Sequence, residues 1–217
     1  MTTAAGFDAL ASSYRWLERL AFGGALMRAR LSHVDDLRSC RRILVLGDGD
    51  GRALPYLLAA APSAHIDSVD ISARMLALAS GRLSDRDRGR VTFVPADART
   101  VALDGPYDGV VTAFVLDCFT PDDAARVVAR VAGSLAPAAV WIHTDFTVPA
   151  AGLARLHAQI VVAGLYAFFR WRTGIDARDL PPVASAFDAA GLATTATRSW
   201  RAGLITSQSM RARDVAR

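Results

Sequence analysis

Ile43–Leu58 reads ILVLGDGDGRALPYLL, and the rest of the chain can be placed relative to this stretch. Ile43, Leu44, Val45 and Leu46 form a continuous apolar run, the pattern of a strand buried on both faces of a parallel sheet. Gly47, Gly49 and Gly51 then turn the chain, and Arg52–Ala60 resumes at helical periodicity with Leu54, Leu57 and Leu58 on one side. A strand, a glycine loop and a helix N-terminus together present backbone N–H groups to a ligand with no Cβ atoms in the way. Three loops of this kind can be separated by spacing. A phosphate-binding P-loop needs a lysine, and all 25 basic residues here are arginine. A dinucleotide fingerprint needs a third glycine where Arg52 stands. What remains is G-x-G-x-G, Gly47-Asp48-Gly49-Asp50-Gly51, a cradle for a nucleotide-like cofactor.

The segments that follow supply the other parts of such a site. Ala64–Asp70 (AHIDSVD) is a short strand, and Asp70 follows the glycine loop at close to the spacing at which an acid meets a ribose. A carboxylate suits that task because it accepts from both ribose hydroxyls. Ile71-Ser72-x-x-Met75 leads into a helix, and Val91–Ala98 is a third strand with Asp97 at its end. Tyr107–Phe119 (YDGVVTAFVLDCF) is the fourth strand and its exit. It puts Ala113–Phe119 at the carboxyl end of the sheet, where open α/β sheets bind ligands. Pro121 opens a helix to about Leu135. Strand five, Ala138–Phe146, then sets Trp141, His143 and Asp145 on one face. Leu153–Arg172 reads as one long helix and Val183–Ala190 as a shorter one. Closing strands at Ala193–Trp200 and Gly203–Ser209 precede a basic tail, Arg211–Arg217, read as frayed surface.

This order of parts resembles the class I S-adenosylmethionine-dependent methyltransferases, with G-x-G-x-G standing as their motif I. The opening Phe7-Asp8-x-x-Ala11-x-x-Tyr14, on a helix read as Phe7–Ala29, is similar to the entry helix of the ubiquinone/menaquinone-biosynthesis type. The resemblance implies S-adenosyl-L-methionine as cofactor and a Rossmann-like seven-stranded sheet, mostly parallel with an antiparallel C-terminal hairpin and helices on both faces. It implies that Gly47, Gly49, Gly51, Asp70, Ile71 and Ala113 line the cofactor. Met75 would pack on the adenine, Asp97 accept from its amino group, Ala98 N–H meet a ring nitrogen, and Tyr14 close the site. One position departs from the family: Val45 stands where an acid is usual, so Asp48 or Asp50 is expected to meet the amino-acid portion of the cofactor. The whole chain, 1–217, reads as one such domain, with 1–36 a helical cap and 150–180 an inserted helical lid.

Composition narrows the alternatives. At 217 residues and 52% hydrophobic content, one domain with a well-buried sheet is expected. The net charge of +4 is carried by arginines scattered among aspartates, as in Ser84–Arg90, which predicts a solvated surface and no nucleic-acid partner. Cys40 and Cys118 give neither metal-ligand spacing nor a disulfide framework, and the missing lysine excludes Schiff-base chemistry. The first residues carry no basic stretch followed by an apolar core, so a cytoplasmic protein is expected.

Methyl transfer mainly requires donor and acceptor to be positioned for in-line displacement, and orientation can supply ~7–11 kcal/mol. A base is needed only for a protonated acceptor. His143 is the first candidate, with Asp117 and Asp145 as alternatives. Tyr14, Phe114, Phe119, Phe146 and the Leu153–Trp171 helix are expected to line a pocket for a small apolar or aromatic acceptor. The apolar run Ile160–Phe169 needs something to cover, and the active-site mouth, a second subunit in a homodimer and a membrane surface all stand open. Two rival functions remain: a Rossmann-type NAD(P)-dependent oxidoreductase, and a non-catalytic cofactor-binding partner subunit.

Overall fold

The computed structural model describes residues 22–174, 177 and 179–213. The glycine loop follows β1 (Arg42–Leu46). The other strands are β2 (His65–Asp70), β3 (Val91–Pro95), β4 (Tyr107–Ala113), β5 (Leu135–Phe146), β6 (Leu192–Trp200) and β7 (Ile205–Ala212). They form one seven-stranded sheet in the order β3-β2-β1-β4-β5-β7-β6. Every pairing from β3 across to β5 is parallel, and β7 runs antiparallel between β5 and β6. This is the expected mostly parallel sheet with its antiparallel hairpin.

The helices are α1 (Ala25–Arg30), α2 (Leu54–Ala60), α3 (Ala73–Ser80), α4 (Asp85–Arg88), α5 (Pro121–Ala132), α6 (Gly152–Thr173) and α7 (Val183–Ala189). The alternation of β1 distributes them. Ile43 and Val45 join one core cluster with Leu54, Leu57 and Leu58 of α2. Leu44 and Leu46 join the opposite one with Val127, Val128 and Val131 of α5 and Phe187 of α7. Fully burying each such side chain is worth ~1.5–3 kcal/mol, so β1 is fixed from both faces. A third cluster packs Phe22 and α1 against Phe146 and the Ala158–Val162–Tyr166 side of α6, above the carboxyl end of the sheet.

Caps explain where three helices begin. Ser72, Ser84 and Thr120 accept backbone N–H bonds at the starts of α3, α4 and α5, and Pro121 takes the first position of α5. Several boundaries differ from the sequence reading. β3 stops at Pro95 because Asp97 organises a turn, with Thr100 N–H and Val101 N–H donating to its carbonyl oxygen. β4 stops at Ala113, and Leu116–Cys118 is a 3₁₀ turn. β5 begins at Leu135, with Ala138 at φ 60° and a shift of register against β4 absorbing Pro137. The helix read as Phe7–Ala29 is interrupted at Gly23, whose φ is 57°, before α1 starts. Arg211 is not frayed tail: it pairs with Val140 and Ala193 inside β7.

Candidate active site

The three loop glycines all have positive φ, and their surroundings divide them. A Cβ on Gly47 would lie 2.5 Å from Val115 Cγ2, and one on Gly51 would lie 2.3 Å from Ala79 Cβ. Those two glycines let β4's exit and α3 press against the loop. A Cβ on Gly49 would meet nothing within 4 Å, so the absence of a side chain there keeps open space. Asp70, at the end of β2, accepts from Gly49 N–H at 3.1 Å and from Ser72 N–H at 2.9 Å. The carboxylate at the expected ribose position is therefore held beside the open glycine by the backbone on either side.

Asp97 lies one strand further out, and Ala96 N–H donates to Asp70's carbonyl oxygen, joining the two strand ends. Arg99 forks onto the Asp97 carboxylate with bonds of 3.0, 3.0 and 2.6 Å, which holds this acid below the usual carboxylate range. Ala98 and Ile71 are half-buried, while Met75 and Ala113 are buried. Of the two loop acids, Asp50 is ion-paired with Arg82 at 2.6 Å and Arg52 at 3.2 Å. Asp48 accepts from Ala53 N–H at 3.2 Å; burial pushes it up to about 6, with nearby Arg30 opposing. Tyr14 lies outside the described residues.

Across the Val115–Cys118 turn a second space opens. A cavity of about 890 Å³ lies between α6, the 179–184 segment and the ends of β5 and β7. His143, Asp145 and Asp117 all line it, so the three candidate bases come together. The His143 ring is buried, with Nδ1 3.1 Å from Thr112 Oγ1, and burial depresses it to about 4. Near neutrality it is an uncharged imidazole with little tendency to take a proton. Asp145 accepts from Phe146 N–H at 2.9 Å and from Asp117 N–H at 3.2 Å. The Asp117 and Asp145 carboxyl groups are close enough for the charge of one to act on the other. Burial raises both, Asp117 to about 6 and Asp145 well above its ordinary value, where the neighbouring negative charge adds to the effect. Neighbouring carboxyl groups titrate together, so the two act as a pair rather than as independent acids.

Phe114, Phe119 and Phe146, the described aromatics expected beside the acceptor, differ in their surroundings. Phe146 lines the cavity together with Val162 and Tyr166 of α6. Phe119 lies 5.9 Å beneath Arg99, on the Asp97 side. Phe114 packs at 5.0 Å on Phe146, and the Arg30 guanidinium lies over its ring at 5.1 Å. Its φ of 56° is a left-handed conformation unusual for a bulky residue and characteristic of functional sites. The sequence reading did not consider Arg30 or Thr112, and it named the helix that carries Tyr166 without singling that residue out. Tyr166 Oη donates to the Asp117 carbonyl oxygen at 2.7 Å, tying α6 to the carboxyl pair. No short motif marks any of these; a polar residue inside an apolar run, as Thr112 and Tyr166 are, was the available signal. Among the described residues no cluster of potential metal ligands occurs, and no helix is long and apolar enough to cross a membrane.

Comparison with known proteins agrees with this geometry. Residues 43–138 match a family model described as a methyltransferase domain. The chain is 32% identical over 114 residues to the ubiquinone/menaquinone biosynthesis C-methyltransferase UbiE of Methylobacterium nodulans, covering 50% of this chain and 45% of that protein. It is 36% identical over 103 residues to the magnesium-protoporphyrin O-methyltransferase of Rhodobacter capsulatus, covering 48% and 43%. The chain thus spans about half the length of the curated relatives it matches. Among solved structures, 1,6-didemethyltoxoflavin-N1-methyltransferase of Burkholderia thailandensis, with bound S-adenosylhomocysteine, superposes with TM-score 0.65 at 21% identity over 97% of this chain and 89% of that one. Mitomycin 7-O-methyltransferase MmcR gives 0.69 at 18% identity over 95% and 60%. The chain is thus similar in sequence to methyltransferases over about half its length and shares their fold over nearly all of it.

Proposed function

We propose that this protein transfers a methyl group from S-adenosyl-L-methionine to a small, apolar or aromatic acceptor by in-line displacement. The observation that carries the reading is the left-handed Gly49, facing open space with Asp70 bonded to its N–H, a short turn away from a cavity lined by ionisable groups. In this reading Gly47–Gly51 and Asp70 hold the ribose and amino-acid portions, and Met75, Asp97 and Ala98 the adenine. The cofactor supplies an electrophilic methyl group and its own leaving group. What falls to the chain is orientation, exclusion of water and, for a protonated acceptor, a place for one proton.

The Asp117–Asp145 pair is better suited to take that proton than His143, because its apparent acidity lies nearer neutrality. His143 is then a neutral polar contact in the wall. The inner side of α6, with Val162 and Tyr166, acts as a lid over the acceptor and excludes water. Calorimetry with S-adenosylhomocysteine and with NAD tests the cofactor: binding of the former alone is expected, and binding of NAD alone would restore the oxidoreductase reading. Incorporation of labelled methyl groups across a panel of aromatic metabolites tests transfer. Cofactor binding without incorporation into any acceptor would favour a non-catalytic partner subunit.

A further inference from the structure

His143 and Asp145 stand two positions apart on one face of β5, and both line the cavity. Their neighbours across the ladder, Gln208 and Thr206 of β7, line it too. Strand rise separates the two positions by ~7 Å along the wall. The polar groups at these positions differ in kind. Trp141 Nε1 donates to Thr112 Oγ1 at 2.9 Å, and the fully buried Thr112 hydroxyl has His143 Nδ1, 3.1 Å away, to receive its own proton. Nδ1 is thereby an acceptor already in use, and the ring proton resides on Nε2. Phe187 packs at 5.1 Å against both Trp141 and His143 and fixes the ring. The wall therefore offers one pinned N–H donor. The neighbouring carboxyl groups of Asp117 and Asp145 offer an acceptor beside it. Phe146, Val162 and Tyr166 supply apolar surface for a flat ring.

We propose that the cavity selects a planar aromatic acceptor bearing a hydroxyl and a carbonyl on adjacent or next-but-one carbons, the hydroxyl donating to the Asp117–Asp145 pair and the carbonyl accepting from His143 Nε2–H. The inference rests on the methyl-transfer reading and names its substrate class. The hydroxyl's proton passes to a carboxylate of the pair, which gains that proton and loses one negative charge. The hydroxyl oxygen keeps the electron pair it needs as a nucleophile. A ligand lacking either group leaves a buried donor or acceptor without a partner, the more costly kind of mismatch.

The test is calorimetry on the protein with and without saturating S-adenosylhomocysteine, using three probes of similar size: 3-hydroxychromone, with both groups; chromone, with the carbonyl alone; and 2-naphthol, with the hydroxyl alone. 3-Hydroxychromone is expected to bind at least tenfold more tightly than either of the others. His143→Phe should erase its advantage over 2-naphthol and leave 2-naphthol unchanged, whereas Asp117→Asn should erase its advantage over chromone and leave chromone unchanged. His143→Gln, which keeps a side-chain N–H, should retain part of the affinity. Equal binding of the three probes to the unaltered protein overturns the proposal without any variant having to fold, as does the binding of none. Discrimination among the probes without any binding of S-adenosylhomocysteine would keep the recognition and overturn the methyl-transfer reading.

Discussion

At Asp70 one carboxylate meets the loop and the start of α3 through two backbone N–H bonds, and the same group is assigned to the ribose. Asp70→Ala is expected to weaken S-adenosylhomocysteine by ~1.5–3 kcal/mol, a tenfold to 150-fold rise in Kd read by calorimetry, in a protein that still folds. The glycines separate folding from binding more sharply. Gly49→Val should abolish binding and leave the core assembled, because its side chain enters open space and the strain of a branched residue at a φ of 59° falls on the loop. Gly51→Ala should lower the melting temperature, since the added methyl lands on Ala79 and the residue must keep a φ of 73°. Asp48 supplies a pH dependence. Its folded value of about 6 lies above the unfolded 3.8, so the native state binds more protons in between, and stability falls as pH rises from about 4 to 6. Asp48→Asn, whose amide oxygen can still receive Ala53 N–H, should remove that slope. Its gain over the unaltered protein should reach on the order of 3 kcal/mol at pH 7, measured by urea melts at pH 4 and 7. Asp70 and the glycine loop were legible because loop, strand end and spacing are local. The Asp117–Asp145 bond was not, for it joins residues far apart in sequence that meet only through the β4–β5 pairing.

At the level of elements, the long apolar helix resolves into two faces. Ala158, Val162 and Tyr166 are buried, while Leu153, Leu156, Ile160 and Trp171 are exposed, Leu153 at 86%. Periodicity located this helix but could not say which apolar residues turn inward, because nearly every position between Ile160 and Phe169 is apolar. The single hydroxyl among them marks the inner face by reaching the turn after β4. Tyr166→Phe removes that tie, worth ~0.5–1.5 kcal/mol, and should raise the acceptor KM about two- to twelvefold while S-adenosylhomocysteine affinity stays unchanged. A change confined to cofactor affinity would exclude the lid role. β5 shows another limit of pattern reading. The sequence reading opens this strand at Ala138, after Pro137, yet the strand runs back through Pro137 to Leu135 on a shift of register.

For the molecule as a whole, cofactor binding should appear as added stability. A ligand at one hundred times its Kd contributes ~2.7 kcal/mol, and a chain of this size gains roughly 2–4 °C per kcal/mol. S-adenosylhomocysteine should therefore raise Tm by roughly 5–11 °C in a thermal-shift assay, with NAD giving no shift. The fold class was readable because β1 is apolar on both faces, which only a sheet covered by helices on both sides accommodates. The insertion of β7 between β5 and β6 has a consequence for biosynthesis. While the ribosome is still adding residues 205–212, the Val140–Phe146 edge of β5 has no strand beside it, and Thr206 and Gln208 are missing from the cavity wall. The nascent chain can assemble its cofactor half first, but it emerges with a bare apolar edge and no acceptor site, so chaperone dependence during synthesis should end only when the last strand slides into the gap.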